Sequence, residues 1–270
     1  LAVFLLGKSV FLARALTALV SLAGAAALSW AWRDALHVRT WWLIPWLLAV
    51  TPAWFLHSRA AWPYALASSA FGLALWAGQR ALRGERWAFW GALAAAGLGA
   101  YAYPPAAVPL GILAAAVTLL AARRLPRWGL TLAVGAGLVT VMALPYVRFA
   151  LTHPGEALQP LQLAPFWLDP ELSLGGRLEG LGAAVLSALN PWFWFAPSQS
   201  GPLLQRMLGY APVPLAFLPF FLLGARRLLR GPWTAERVLM AAALAASPGA
   251  AWVTGASAGA LLPAAAAGVG

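Results

Sequence analysis

The sequence contains no cysteine, and only 9% of its 270 residues are charged. Without cysteine, the protein forms no disulfide and has no thiolate chemistry. Acidic residues are scarce as well, with seven Asp and Glu against 18 Lys and Arg. A soluble domain carries about 25% charged residues, whereas this chain is 62% hydrophobic with a mean hydropathy of +0.77. So much apolar surface with so little charge predicts a protein that folds in a lipid bilayer.

The net charge of +11 would suggest a nucleic-acid partner if the protein were soluble. Here the arginines lie in short loops between apolar stretches, which is typical of cytoplasmic loops in membrane proteins. The sequence also lacks a phosphate-binding glycine loop, a nucleophile elbow and a zinc-spaced set of His and Cys. We therefore predict the lipid bilayer as a partner, no nucleic acid and no resident cofactor. Binding of a divalent metal is left as an open alternative, and the sequence shows no site for it.

Eight apolar stretches meet or approach the roughly 20 residues that a membrane-spanning helix needs. They cover residues 16–32, 41–56, 63–78, 87–103, 105–122, 128–147, 211–225 and 238–253, and a ninth begins near Leu262. Continuous runs of Ala and Leu without alternation favour helices over a barrel. We predict an all-α, polytopic transmembrane helix bundle that forms one domain over 1–270.

The basic residues predict the orientation of this bundle. Twelve of the 18 cations fall in alternate loops, and the other six lie across the membrane. The richer side is expected to be cytoplasmic. Residues 148–206 then form a long extracytoplasmic loop, which is rich in proline and holds four of the seven acids. We expect short interfacial helices within it, including one over 178–189, and a turn over 165–174.

Candidate functional side chains lie on the predicted extracytoplasmic side. Arg14, Arg59 and Arg148 are candidates for binding a lipid-linked phosphate, since arginine stays charged and binds phosphate with two parallel hydrogen bonds. The alternative for each arginine is a side chain that merely reaches the lipid headgroups. The candidate pocket-lining residues are His57, Tyr101, Tyr103 and Asn190. The alternative for the tyrosines, and for the aromatic patch after Asn190, is the aromatic belt of a membrane interface.

Five segments resemble, in order, landmarks of the membrane-embedded GT-C glycosyltransferases. Residues 6–19 (LGKSVFLARALTAL) resemble F-G-x-S-x-x-x-x-R-L-x-S-A-L, 51–59 (TPAWFLHSR) resemble S-P-x-x-x-x-x-S-R, and 97–104 (GLGAYAYP) resemble G-L-x-x-Y-T-Y-P. Residues 145–154 are similar to P-x-x-R…H-P, and 190–195 (NPWFWF) to a late extracytoplasmic aromatic patch. The resemblance is to bacterial relatives of the dolichyl-phosphate-mannose protein mannosyltransferases. The landmarks cover most of the chain.

The resemblance implies an inverting transfer of a sugar from a polyprenyl-phosphate donor to an extracytoplasmic acceptor of unknown identity. It implies location in a bacterial inner or plasma membrane, with Arg59 as the foremost residue for the donor phosphate. The family's aspartate base would lie in a loop before residue 1, so we expect the sequence to be a fragment whose catalytic residue is unknown. The alternative is a non-enzymatic membrane protein, either a structural subunit of a larger complex or a transporter.

Overall fold

A computed structural model describes residues 9–59, 63–122, 124–157, 173–190, 194–196 and 211–246. Its α-helices are α1 (Val10–Leu36), α2 (Leu43–Val50), α3 (Pro52–Arg59), α4 (Pro63–Leu82), α5 (Arg86–Ala102), α6 (Ala107–Ala121), α7 (Trp128–Thr152), α8 (Pro154–Ala157), α9 (Leu174–Leu189), α10 (Leu218–Arg230) and α11 (Ala235–Ala246). Short 3₁₀ turns at Pro104–Ala106 and Leu215–Phe217 precede α6 and α10. No strand occurs among these residues, so the predicted all-α class is confirmed for the described part of the chain.

In the part of the chain that the structure describes, three helical segments are long and apolar enough to cross a membrane: α1, the segment Pro104–Ala121, and α7. Large apolar side chains on α1 and α7 are exposed, among them Phe11, Leu19, Val141 and Leu151. In water such surfaces would drive aggregation, whereas in a bilayer they face lipid at no cost. These helices indicate an integral membrane protein.

Helix α4 is the centre of the bundle and packs against α1, α5, α6 and α11. Of its 20 residues, 14 are buried, and most of those are Ala, Ser or Gly. Small side chains allow close helix approach, which is how helices associate in lipid. A Cβ atom added to Gly24 in α1 would lie 2.5 Å from the Cα of Ser69 in α4. The backbones of α1 and α4 are therefore nearly in contact at this crossing.

The stretch 41–56, predicted as one span, is two short helices, α2 and α3. The break falls at Thr51, whose backbone is extended with ψ 118°. Pro52 explains the break, because proline lacks an N–H donor and disfavours the helical conformation of the residue before it. The N–H of Ala53 donates instead to the carbonyl of Pro212, 3.2 Å away, which ties α3 to the segment before α10.

The later elements differ from the sequence prediction in length. Within 211–225, helix begins only with the Leu215–Phe217 turn, and α10 continues to Arg230. With 13 residues, α10 is about 20 Å long, shorter than the roughly 30 Å of bilayer hydrocarbon. Helix α9 is present where a short helix was expected. The turn predicted over 165–174 and the ninth span near Leu262 lie largely or wholly outside the described residues.

Candidate functional site

Three aromatic side chains meet where α3, α4 and the end of α5 come together. The ring of Tyr64 makes edge-to-face contacts with His57, at 5.4 Å between centroids, and with Tyr103, at 4.7 Å. His57 belongs to α3, Tyr64 to the first turn of α4, and Tyr103 directly follows α5. The structure thus joins two of the predicted pocket residues through a third that the sequence analysis missed. We call His57, Tyr64 and Tyr103 the aromatic cluster.

The imidazole of His57 is buried, with 1% of the residue exposed. It lies in α3, outside the three helices long enough to span the membrane. Burial lowers the pKa of His57 from 6.5 to about 4, because desolvation disfavours the charged ring. The ring is therefore neutral near pH 7 and offers one donor and one acceptor nitrogen. It can orient a hydroxyl group, but it does not supply positive charge for a phosphate.

Tyr101 points to a different neighbour from Tyr103, although only one residue separates them. Its hydroxyl donates to the carbonyl of Met142 and accepts the backbone N–H of Tyr146 at 3.3 Å, so it binds α7. The divergence arises because Tyr101 is in the last turn of α5, whereas Tyr103 is extended, with φ −146° and ψ 101°. The tyrosines of the Tyr-x-Tyr-Pro element therefore link α5 to two sides of the bundle.

The three candidate phosphate-binding arginines are all exposed. The guanidinium of Arg59 lies over the ring of Phe55, 4.0 Å from its centroid, one turn earlier in α3. Arg14 lies in the second turn of α1 and Arg148 near the end of α7. In the described part of the chain, none of the three forms an ion pair with a carboxylate. Their charge is thus not neutralised by the described acids.

The remaining candidate, Asn190, is exposed directly after α9. Arg59 is two residues from His57 in α3, and Arg148 is two residues from Tyr146, which Tyr101 contacts. These are spacings along the chain, whereas the ring contacts that join two candidates run from His57 through Tyr64 to Tyr103. Among the described residues, no group of three or more His, Asp or Glu is placed to hold a metal ion.

A separate polar cavity of about 430 Å³ lies at the other end of α1. The buried carboxylate of Asp34 binds Arg33 of α1 and Arg83, which directly follows α4, and Trp41 forms another wall. The sequence positions of Arg33 and Arg83 predicted only that they belong to cytoplasmic loops. Asp34 is the only acidic residue in the first 84 positions of the sequence. An isolated acid among arginines was the one feature of the sequence that could have indicated this cluster.

No family model matches this chain, and no curated protein and no solved structure matches it either.

Proposed function

We propose that the protein is an integral-membrane, inverting glycosyltransferase that takes a sugar from a polyprenyl-phosphate donor. The proposed architecture is a GT-C bundle of about eight spans, with the basic loops on the cytoplasmic side of a bacterial inner membrane. The sequence landmarks occur in the order that this family shows. The all-helical fold with exposed apolar helices is compatible with a donor that reaches its site from the bilayer.

The aromatic cluster is the observation that carries the proposal. Its members His57 and Tyr103 come from two different landmarks, 51–59 and 97–104, and Tyr64 holds their rings together. Residues of two landmarks that contact one common side chain can contribute to one site. Arg59 ends the first of these landmarks and remains exposed beside the cluster in sequence. The exposed guanidinium of Arg59 is two residues from the neutral imidazole of His57 and is suited to binding the phosphate of a sugar donor.

In the proposed reaction, an acceptor hydroxyl attacks the anomeric carbon from the face opposite the phosphate. The new glycosidic bond forms as the carbon–oxygen bond to phosphate breaks, and polyprenyl phosphate leaves with the bonding electrons. A base removes the proton of the acceptor hydroxyl. Arg59 would stabilise the negative charge that develops on the leaving phosphate, assisted by Arg14 and Arg148. Of the candidate pocket residues, His57 and Tyr103 share the aromatic cluster and would form part of the sugar site. The base is not assigned to a residue of this chain.

The test is sugar transfer by the full-length protein in liposomes that contain radiolabelled polyprenyl-phosphate mannose. Arg59→Ala is expected to lower the transfer rate about 100-fold, since losing a charged transition-state contact has an effect of this size. The matched control is Arg226→Ala, which removes an exposed arginine from α10, on the side of the bundle predicted to be cytoplasmic. It is expected to keep the wild-type rate, and both variants should unfold at the wild-type temperature.

Two outcomes would overturn the proposal. One is equal transfer by the Arg59→Ala and wild-type proteins. The other is release of no product from polyprenyl-phosphate mannose or glucose by the folded wild-type protein, which would favour a structural subunit or a transporter.

A further inference from the structure

The cavity at the end of α1 has a fixed internal framework. One oxygen of Asp34 binds Nε of Arg33 at 3.0 Å, and the other binds Nη1 of Arg83 at 3.1 Å. The Asp34 side chain is only 6% exposed. Since Arg83 follows α4, the carboxylate joins the ends of two closely packed helices. The guanidinium of Arg33 also lies over the ring of Trp41, 5.5 Å from its centroid.

This framework leaves much of each guanidinium available. A guanidinium carries five N–H donors, and Asp34 engages one nitrogen of each arginine. The side chains of Arg33 and Arg83 remain 42% and 39% exposed. Arg39, which is also exposed, lines the same cavity and forms no ion pair in the described part of the chain. Arginines that serve only to set membrane orientation require no buried carboxylate to hold them in place.

The cavity carries an excess of positive charge. Three arginines against one aspartate leave two positive charges unbalanced, and His37 adds a polar ring. The cavity is widely open to solvent, and its volume of about 430 Å³ is ample for a phosphate group. A phosphate group matches this cavity because its oxygens accept hydrogen bonds in the geometry that guanidinium groups present.

We propose that this cavity binds a phosphate group, either of an anionic lipid headgroup or of a free phosphate compound. Arg33 and Arg83, held by Asp34, form a preorganised pair, and Arg39 completes the site from the turn after α1. Preorganisation increases affinity, because the side chains lose little further freedom on binding. The site is separate from Arg59 and does not depend on the proposed transferase activity.

The test uses the full-length protein in nanodiscs of phosphatidylcholine at 150 mM salt. Binding of dioctanoyl phosphatidic acid is titrated, with dioctanoyl phosphatidylcholine as the reference lipid and inorganic phosphate as competitor. Arg39→Gln is the main variant because it leaves the ion pairs of Asp34 intact. Arg226→Gln is the matched control, because it removes one exposed arginine from helix α10.

Arg39→Gln is expected to weaken phosphatidic acid binding about tenfold, the effect of losing one charge-assisted hydrogen bond. Arg226→Gln should stay within about twofold of wild type on the same scale. Competition by millimolar inorganic phosphate identifies a site for free phosphate compounds, and lack of competition identifies a lipid site. Equal weakening by both variants, or no preference for phosphatidic acid over phosphatidylcholine, would overturn the proposal.

Discussion

The hydroxyl of Tyr101 accepts a hydrogen bond from the backbone N–H of Tyr146, at 3.3 Å, across the interface of α5 and α7. The same hydroxyl donates to the carbonyl of Met142, four residues before Tyr146. In a regular helix this carbonyl and this N–H would be paired with each other. Pro145 lies between them inside α7. Helices bend at a proline, and they also bend where a side chain inserts between the carbonyl of residue i and the N–H of residue i+4.

Tyr101→Phe is expected to lower the free energy of unfolding by about 0.5–1.5 kcal/mol, the usual net value of a hydrogen bond. The measurement is the thermal unfolding midpoint in detergent. Helix α7 is exposed along most of its length. Each contact with α5 is therefore expected to contribute to the stability of the bundle. The control is Thr118→Val, which removes a hydroxyl bonded only to Ala114 of its own helix. If the two variants unfold at the same temperature, the Tyr101 contact does not stabilise the bundle.

The different surroundings of Tyr101 and Tyr103 show how far the sequence was informative. Hydropathy predicted α5 and α7 closely, since both are continuous apolar runs. It also indicated that both tyrosines lie at the end of α5. It could not show that one contacts a main-chain carbonyl of α7 and the other Tyr64, because such partners depend on how the helices cross. The framework around Asp34 was missed for the same reason: its arginines are 50 residues apart in sequence.

Substitution of Gly24 tests the close crossing of α1 and α4. Gly24→Ala places a methyl group 2.5 Å from the Cα of Ser69, so the two helices must move apart. We expect the free energy of unfolding to fall by about 1–3 kcal/mol, a typical cost of overpacking. Gly137→Ala in α7 is the matched control, since a Cβ there meets nothing within 4 Å. It should be neutral or slightly stabilising. A neutral Gly24→Ala would show that the helices are not held this closely.

Burial of His57 predicts a pH-dependent stability. The pKa is 6.5 in the unfolded chain and about 4 in the folded protein, so the unfolded state binds more protons between these values. The contribution of neutral His57 to the free energy of unfolding is therefore complete above about pH 6.5. It is lost as the pH is lowered toward 4. The loss is on the order of 3 kcal/mol, from the size of the shift. The measurement is the unfolding midpoint in detergent between pH 7.5 and 4.5.

The control for this profile is His57→Asn, which cannot titrate in the same range. Its unfolding midpoint should change less between pH 7.5 and 5.5 than the midpoint of the wild type. At pH 7.5 the midpoint of His57→Asn should be below that of the wild type. His153→Asn removes an exposed histidine at the end of α7 and should keep the wild-type profile. A wild-type slope that survives in His57→Asn would assign the pH dependence to other groups.

Asp34→Asn tests the framework of the polar cavity independently of any ligand. The change removes the negative charge between Arg33 and Arg83, whose guanidinium groups then repel each other. Breaking a fully buried pair costs about 3–5 kcal/mol, and the partly exposed arginines reduce this to about 1–2 kcal/mol here. Glu156→Gln neutralises an exposed carboxylate in α8 and should alter stability by less than about 0.5 kcal/mol. Chemical denaturation of both variants in detergent compares them directly.

The absence of native cysteine allows a clean test of membrane orientation. Gly155→Cys places a thiol in α8, at an exposed position where a Cβ has open space. Thr40→Cys places one in the exposed turn beside the polar cavity. Because arginine-rich loops remain in the cytoplasm, a membrane-impermeant maleimide added to intact cells should label Gly155→Cys and not Thr40→Cys. Thr40→Cys should react only after the membrane is permeabilised. The reverse labelling pattern would invert the bundle and place Arg59 on the cytoplasmic side, which is incompatible with transfer to an extracytoplasmic acceptor.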